Sequence, residues 1–297
     1  MSTLPLRSWL FVPGDSERKQ AKAVSAGADA LILDLEDSVA ASQLPAARTC
    51  VREFLNAHRQ SASQLWVRTH APSSTDFEAD LTAVVPGKPA GLVLPKVSSP
   101  REIAEVSAKL TQLESQAGFA PGSIRLMAIA TETPAALLRL GEFAHGADAR
   151  LVALTWGMED LGAAMGVTTQ REPDGSLVPV FELARTLCLV AAAAAGVQAV
   201  DSVYTAFRDL EGLSREAARA RRDGFGGKLA IHPDQVRTIH EAFTPSTAEV
   251  EHARRVVAAF EAAGESGVTS LDGKMLDRPH LIQAQRVLSL SARASRP

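Results

Sequence analysis

One pattern recurs along this chain: a short apolar, β-branched run that ends in a charged or metal-competent residue. Ala30-Leu-Ile-Leu-Asp-Leu-Glu36, Leu65-Trp-Val-Arg68 and Gly91-Leu-Val-Leu-Pro-Lys96 follow it, and so do the stretches from Ile124 to Glu132 and from Leu151 to Asp160, Ala199-Val-Asp201 and Leu229-Ala-Ile-His232. The closing residues Glu36, Arg68, Lys96, Glu132, Asp160, Asp201 and His232 are spaced 28 to 41 positions apart. A βα unit of an eight-stranded barrel takes about 30 residues, because a ~250-residue fold is shared among eight units. Ser8-Trp-Leu-Phe-Val12 supplies the eighth strand. Between the runs lie segments of helical period: 48–59, 101–116, 134–143, 180–195, 214–222 and 234–242. Strands that alternate with helices imply a parallel sheet, and consecutive apolar residues imply strands buried on both faces. The expectation is a (β/α)8 TIM barrel over residues 1–245, with its chemistry at the C-terminal ends of the strands.

After Phe243-Thr-Pro-Ser246 the rhythm stops. Residues 247–263 read as an amphipathic helix, Gly264-Glu-Ser-Gly267 as a flexible break, 268–273 as a small hairpin and 279–294 as a last helix. A barrel already closed does not need this tail, so residues 246–297 read as a lid or as an oligomerisation arm.

Composition narrows the class. With 297 residues and 46% hydrophobic content, the chain can bury a full barrel core. A net charge of −3 gives no broad basic face for nucleic acid. The start of the chain has no signal-peptide pattern, and no apolar run approaches a membrane span. Cys50 and Cys188 have no CxxC spacing and read as inert thiols. The expectation is a cytoplasmic protein without membrane or nucleic-acid partners.

Glu132 and Asp160 close consecutive strands among small residues. Two carboxylates completed by water suit Mg²⁺, or Mn²⁺, and the absence of His and Cys there argues against zinc. Ion pairing with Arg68 or Lys96 is the plainer reading of the same two residues. Glu159 rivals Asp160, since alternation sends one of them inward. Arg68 suits a carboxylate clamp, or a structural pair with Glu36 or Asp37. Lys96 fits a Schiff-base lysine or a cation that balances an acidic mouth. Asp34, Glu36 and Asp37 form an acidic cluster, in which one residue can reach a metal-bound water and the others cap the next helix. Asp201 and His232 read as shaping the mouth. The turn Pro13-Gly14-Asp15-Ser16, followed by Arg18, Lys19 and Lys22, can receive phosphate at a helix N-terminus.

Arg7-Ser-Trp-Leu-Phe-Val-Pro-Gly14, Gly27-Ala-Asp-Ala-Leu-Ile-Leu-Asp-Leu-Glu-Asp-Ser-Val39, Val67-Arg68, Leu94-Pro-Lys96, Glu132-Thr-Pro134, Gly157-Met-Glu-Asp-Leu161 and Ile231-His-Pro233 occur in this order over nearly the whole chain. Together they resemble the citrate lyase β-subunit-like branch of the HpcH/HpaI aldolase superfamily. The resemblance implies a Mg²⁺-dependent enzyme that makes or breaks a carbon–carbon bond in a 3-hydroxyacyl thioester such as citramalyl-CoA or malyl-CoA. It implies Glu132 and Asp160 as metal ligands, Arg68, Glu132, Gly157 and Met158 as substrate-binding groups, and Arg68 as catalytic through its hold on the oxo acid. Arg18 and Lys22 become candidates for the CoA phosphates.

The segment Asp272-Gly-Lys-Met-Leu-Asp277-Arg-Pro is similar to the tail of malyl- and citramalyl-CoA lyases, which implies Asp277 as an acid/base delivered by a neighbouring subunit. A homotrimer or a hexamer would allow that delivery. An N-cap for the last helix is the plainer role for Asp277. Two alternatives stand beside the CoA lyase: a citryl-carrier lyase β subunit that needs partner chains, and a metal-dependent aldolase of free 4-hydroxy-2-oxo acids.

Overall fold

The computed structural model describes residues 5–264 and 267–294. They form two compact units, one of Leu6–Ile239 and one that begins at His240 and includes Pro5.

In the first unit eight parallel strands close into a barrel in sequence order: β1 Ser8–Pro13, β2 Ala30–Asp34, β3 Gln64–Arg68, β4 Gly91–Leu94, β5 Arg125–Ile129, β6 Leu151–Thr155, β7 Gln198–Asp201 and β8 Gly227–Ala230. Closure comes from β1 against β8, with Trp9 opposite Leu229. Alternate residues turn inward, and the lumen is filled by Trp9, Ile32, Trp66, Val93, Met127, Ala153, Val200 and Leu229. The Trp9 and Trp66 rings meet edge to face, with centroids 5.0 Å apart. Trp66 fits only because β4 begins with glycine: a Cβ on Gly91 would lie 2.2 Å from its ring. The inward set of β2 and β3 ends in Asp34 and Arg68, which lie opposite each other in register. Strand pairing alone therefore brings a carboxylate and a guanidinium together at the mouth.

The expected helices are present, with shifted ends. Leu44–Ala57 begins earlier than its apolar period suggests, with proline in its first turn. Pro134–Arg139 tightens into a 3₁₀ segment at Leu140–His145. Two short helices escape the sequence reading, Phe77–Val84 and Glu159–Met165. The second corrects the reading of 151–160 as one run: β6 stops at Thr155, and Asp160 lies in the first turn of a helix.

The second unit contains the helix Thr247–Ala263, a hairpin of β9 Val268–Leu271 and β10 Lys274–Asp277, and the helix Arg278–Ala294. Ser246 and Glu249 form a reciprocal capping box at the first helix. The hairpin extends further than 268–273, turning at Asp272 and Gly273, both at positive φ, as a two-residue hairpin loop demands. Ala253, Val256, Phe260, Leu276 and Ala284 form its core. The expected break at 264–267 falls partly outside the described residues. Among the described residues no helix is long and apolar enough to cross a membrane.

Candidate active site

The mouth of the barrel gathers Asp34, Glu36, Arg68, Lys96, Glu132 and Asp160. Most of them stand past the strands: β4 ends at Leu94 and β5 at Ile129, so Lys96 and Glu132 project from the loops that follow.

Glu132 is buried, and Gly157 makes room for it, since a Cβ on Gly157 would lie 2.7 Å from Glu132 Cγ. Its Oε2 accepts a 2.5 Å hydrogen bond from the Lys96 backbone N–H. That N–H is aimed by a left-handed backbone, with Lys96 at φ 54°, a conformation unusual for a residue with a side chain. Burial, assisted by the charges of Asp160 and Glu36, pushes the Glu132 carboxyl up to about 8.

Lys96 Nζ lies 2.6 Å from Glu36 Oε1 and 3.3 Å from Asp160 Oδ1. Partial burial disfavours its charge, but the hydrogen bond and charge of Glu36 prevail and hold it above the ordinary lysine range. A lysine held protonated is a poor Schiff-base nucleophile, and the contacts of Lys96 with Glu36 and Asp160 favour the reading of a cation in an acidic mouth. Glu159, the rival of Asp160, turns away and accepts a 2.6 Å hydrogen bond from Gln170.

Arg68 differs from the expected clamp. Its Nε and Nη2 donate to the two oxygens of Asp34 at 2.6 and 2.7 Å, and Phe11 lies under the guanidinium at 4.8 Å. One bidentate edge is therefore occupied by the protein itself, and Nη1 is the group left near Glu36 and Asp37, at 3.2 and 3.5 Å. Burial pushes the Asp34 carboxyl up, yet its two bonds to Arg68 hold it below the usual carboxylate range. Glu36 Oε2 is buried and makes no hydrogen bond of good geometry, but Arg68 Nη1 lies 3.2 Å from it as an ion-pair partner.

Four further sequence readings change. The Gly157 N–H donates to Thr131 Oγ1 at 3.0 Å, so Gly157 serves by its missing side chain rather than as a carboxylate donor. The Met158 side chain is buried and makes no capping bond, so only its backbone, at the N-cap position of the helix Glu159–Met165, can serve a carboxylate. Asp201 does not face the lumen: it is buried against the helical layer, within 2.8 Å of Lys228 and 3.2 Å of Arg185. Gly14 is held by β2, its N–H 2.8 Å from the Asp34 carbonyl oxygen and a Cβ excluded at 2.5 Å. That turn supports Asp34. Arg18 and Lys22 are exposed on the helix Glu17–Val24, where Glu17 in the first turn opposes an anion and Lys22 sits in the last turn.

Asp277 closes β10 in the second unit, half exposed, with Oδ1 2.5 Å from His280 Nδ1. His232 stacks on Phe207 with centroids 5.0 Å apart.

The geometry suits a cation. Glu132 is a buried carboxyl, and Asp160 is a second carboxylate close enough to raise it, with the Lys96 ammonium 3.3 Å from Asp160. Two carboxylates with no His or Cys beside them are oxygen donors of the kind that suit a hard cation such as Mg²⁺, which keeps much of its water.

A barrel with acidic groups and a guanidinium at its C-terminal mouth defines a class of α/β-barrel enzyme. The comparisons then place it. The HpcH/HpaI aldolase/citrate lyase family matches residues 7–233. The citrate lyase β subunit of Escherichia coli K12 is 38% identical over 285 residues, covering 95% of this chain and 92% of that one. A (3S)-malyl-CoA thioesterase of Cereibacter sphaeroides is 35% identical, covering 96% of this chain and 94% of its own. The crystal structure of CitE from Mycobacterium tuberculosis in complex with magnesium, acetoacetate and coenzyme A superposes with a TM-score of 0.78 at 34% identity, covering 97% of this chain and 98% of that one. The chain belongs to the HpcH/HpaI aldolase/citrate lyase family and is a carbon–carbon lyase of the citrate lyase β-like kind.

Proposed function

We propose that this protein is a Mg²⁺-dependent lyase that cleaves, or forms, a 3-hydroxyacyl-CoA thioester such as citramalyl-CoA or malyl-CoA, yielding acetyl-CoA and a 2-oxo acid. The observation that carries the reading is buried Glu132, raised in part by the charge of Asp160, with Lys96 in contact with both, in a chain similar over 97% of its length to a protein solved with magnesium, acetoacetate and coenzyme A.

Glu132 and Asp160 would hold the ion, with water completing its shell. Bound Mg²⁺ supplies Lewis acidity toward the hydroxyl of the thioester and the keto oxygen of the product. Arg68 Nη1 and the backbone N–H groups that open the helix Glu159–Met165, from Met158 onward, orient the substrate carboxylate. Lys96 keeps the mouth near neutrality and fixes Glu132 through its N–H. In cleavage the substrate hydroxyl gives its proton to solvent, its oxygen becomes the keto oxygen as the carbon–carbon bond breaks, and the Asp277 carboxyl protonates the enolate carbon. In the condensing direction the Asp277 carboxylate takes a proton from the methyl carbon of acetyl-CoA, the enolate carbon bonds to the keto carbon, and solvent protonates the resulting alkoxide. Delivery of Asp277 by an adjacent subunit requires an oligomer, a homotrimer or hexamer. Arg18 and Lys22, exposed on the helix Glu17–Val24, remain the candidates for the CoA phosphates in this reading, as side-chain cations rather than through the helix N-terminus.

The test is product analysis with purified protein, Mg²⁺ and each thioester. Release of acetyl-CoA together with pyruvate or glyoxylate, abolished by EDTA and restored by Mg²⁺, is expected, and borohydride should trap nothing on Lys96. The similarity to a malyl-CoA thioesterase favours one second reading, in which free CoA and a hydroxy diacid appear instead. Cleavage of 4-hydroxy-2-oxo acids alone would make the protein an aldolase. Activity only after partner chains are added would make it a lyase subunit.

A further inference from the structure

Beside the mouth, between the barrel and its helices, lies a fully buried lysine with no part in that chemistry. Lys228 Nζ is 2.8 Å from Asp201 Oδ2, 2.8 Å from Glu216 Oε1 and 2.7 Å from the Ser202 carbonyl oxygen. Each of its three protons has an acceptor. Such a cluster is a poor source of stability, because desolvation cancels most of the attraction and apolar residues of the same volume often serve as well. What it offers is fixed geometry.

Two arms lead from this ammonium to the same short segment. Along the first, Asp201 Oδ1 accepts a 2.8 Å hydrogen bond from the indole of Trp156. Trp156 is buried and directly precedes Gly157, over which Glu132 is seated. Along the second, Glu216 Oε2 accepts a 2.6 Å bond from Arg171. Its neighbour Gln170 holds Glu159 at 2.6 Å, one residue before Asp160. Segment 156–160 is therefore tied at both ends to one buried charge.

We propose that Lys228 is a positioning residue, which through Asp201–Trp156 and Glu216–Arg171 sets the segment 156–160 and with it the seat of Glu132 and the placement of Asp160. The metal-affinity arm of its test rests on the lyase reading; the backbone arm does not.

The experiment compares wild type with Lys228→Met and Trp156→Phe by hydrogen exchange of the 157–160 amides and by Mn²⁺ titration followed by electron paramagnetic resonance. Both variants should show exchange at 157–160 faster by about tenfold or more with the rest of the barrel unchanged, and a Mn²⁺ affinity lower by about tenfold, the usual effect of losing an outer-shell support. Trp156→Phe leaves Asp201 its bonds to Lys228 and Arg185, so it carries the test if Lys228→Met does not fold. Exchange at 157–160 within about twofold of wild type in the folded variants, or acceleration spread evenly over the barrel, overturns the proposal. If wild type binds no Mn²⁺, the metal reading fails and the exchange data decide the positioning role by themselves.

Discussion

Glu132 shows what burial does to a single carboxyl. In the unfolded chain it titrates near 4.5, and in the metal-free folded protein it keeps its proton to about 8. Between those values the folded state binds more protons than the unfolded state, so this group lowers stability as pH rises through the window and levels off above it. Glu132→Gln mimics the protonated form and should remove that component. In EDTA, urea unfolding of wild type should lose stability relative to the variant from pH 5 to 8, on the order of 1.4 kcal/mol per pH unit at most. A flat difference would refute the shift. The same proton must leave before a cation is held, so Mg²⁺ affinity should rise with pH up to about 8, by no more than about tenfold per unit; calorimetry in buffers of different ionisation enthalpy reads the proton released. For Arg68, Arg68→Lys keeps a charge but loses the two-pronged bond to Asp34, and we expect kcat/KM to fall by about 100-fold, as for a loss of ~2.7 kcal/mol. The sequence made Glu132 and Arg68 conspicuous by type and position. It did not show that Asp34 already occupies one edge of the guanidinium, because that follows from the β2–β3 register.

Among the elements, β4 carries the sharpest constraint. Gly91 merely opens an apolar run in the sequence, yet its missing Cβ is the space that Trp66 fills. Gly91→Ala should destabilise the barrel by about 1–3 kcal/mol, the usual cost of overpacking a dense core. Trp66→Phe in the same chain should recover part of that loss, which paired urea curves of the single and double variants would show. Full additivity would mean the two residues do not compete for the same volume. The strands were legible because both-face burial writes itself as consecutive apolar residues. The helix Glu159–Met165 was not, because Leu161, Ala163 and Ala164 continue the apolar character of β6 and only the backbone shows where the strand stops. The hairpin turn at Asp272–Gly273 was legible for the opposite reason: positive φ at both positions needs residues of that kind.

At the scale of the whole molecule the proposal divides one reaction between two units, the metal and the carboxylate at the barrel mouth and the proton on Asp277 of the hairpin. The beat of strand-end residues does not reach Asp277, which lies beyond the eighth strand, and in the proposal its partner site belongs to another subunit. Assembly can be tested with two inactive chains. In the proposed mechanism Glu132→Gln lacks a metal ligand and keeps Asp277; Asp277→Asn has the reverse defect. In a ring whose interfaces are head to tail, each site combines the barrel of one subunit with the arm of the next. Unfolding and refolding an equal mixture should then restore about one quarter of wild-type activity, the fraction of sites that draw both intact halves by chance. An arm that serves its own barrel leaves every site defective, and the mixture stays at the level of the separate variants. Activity recovered on mixing also excludes misfolding as the reason either variant is inactive, because each must still supply a working half.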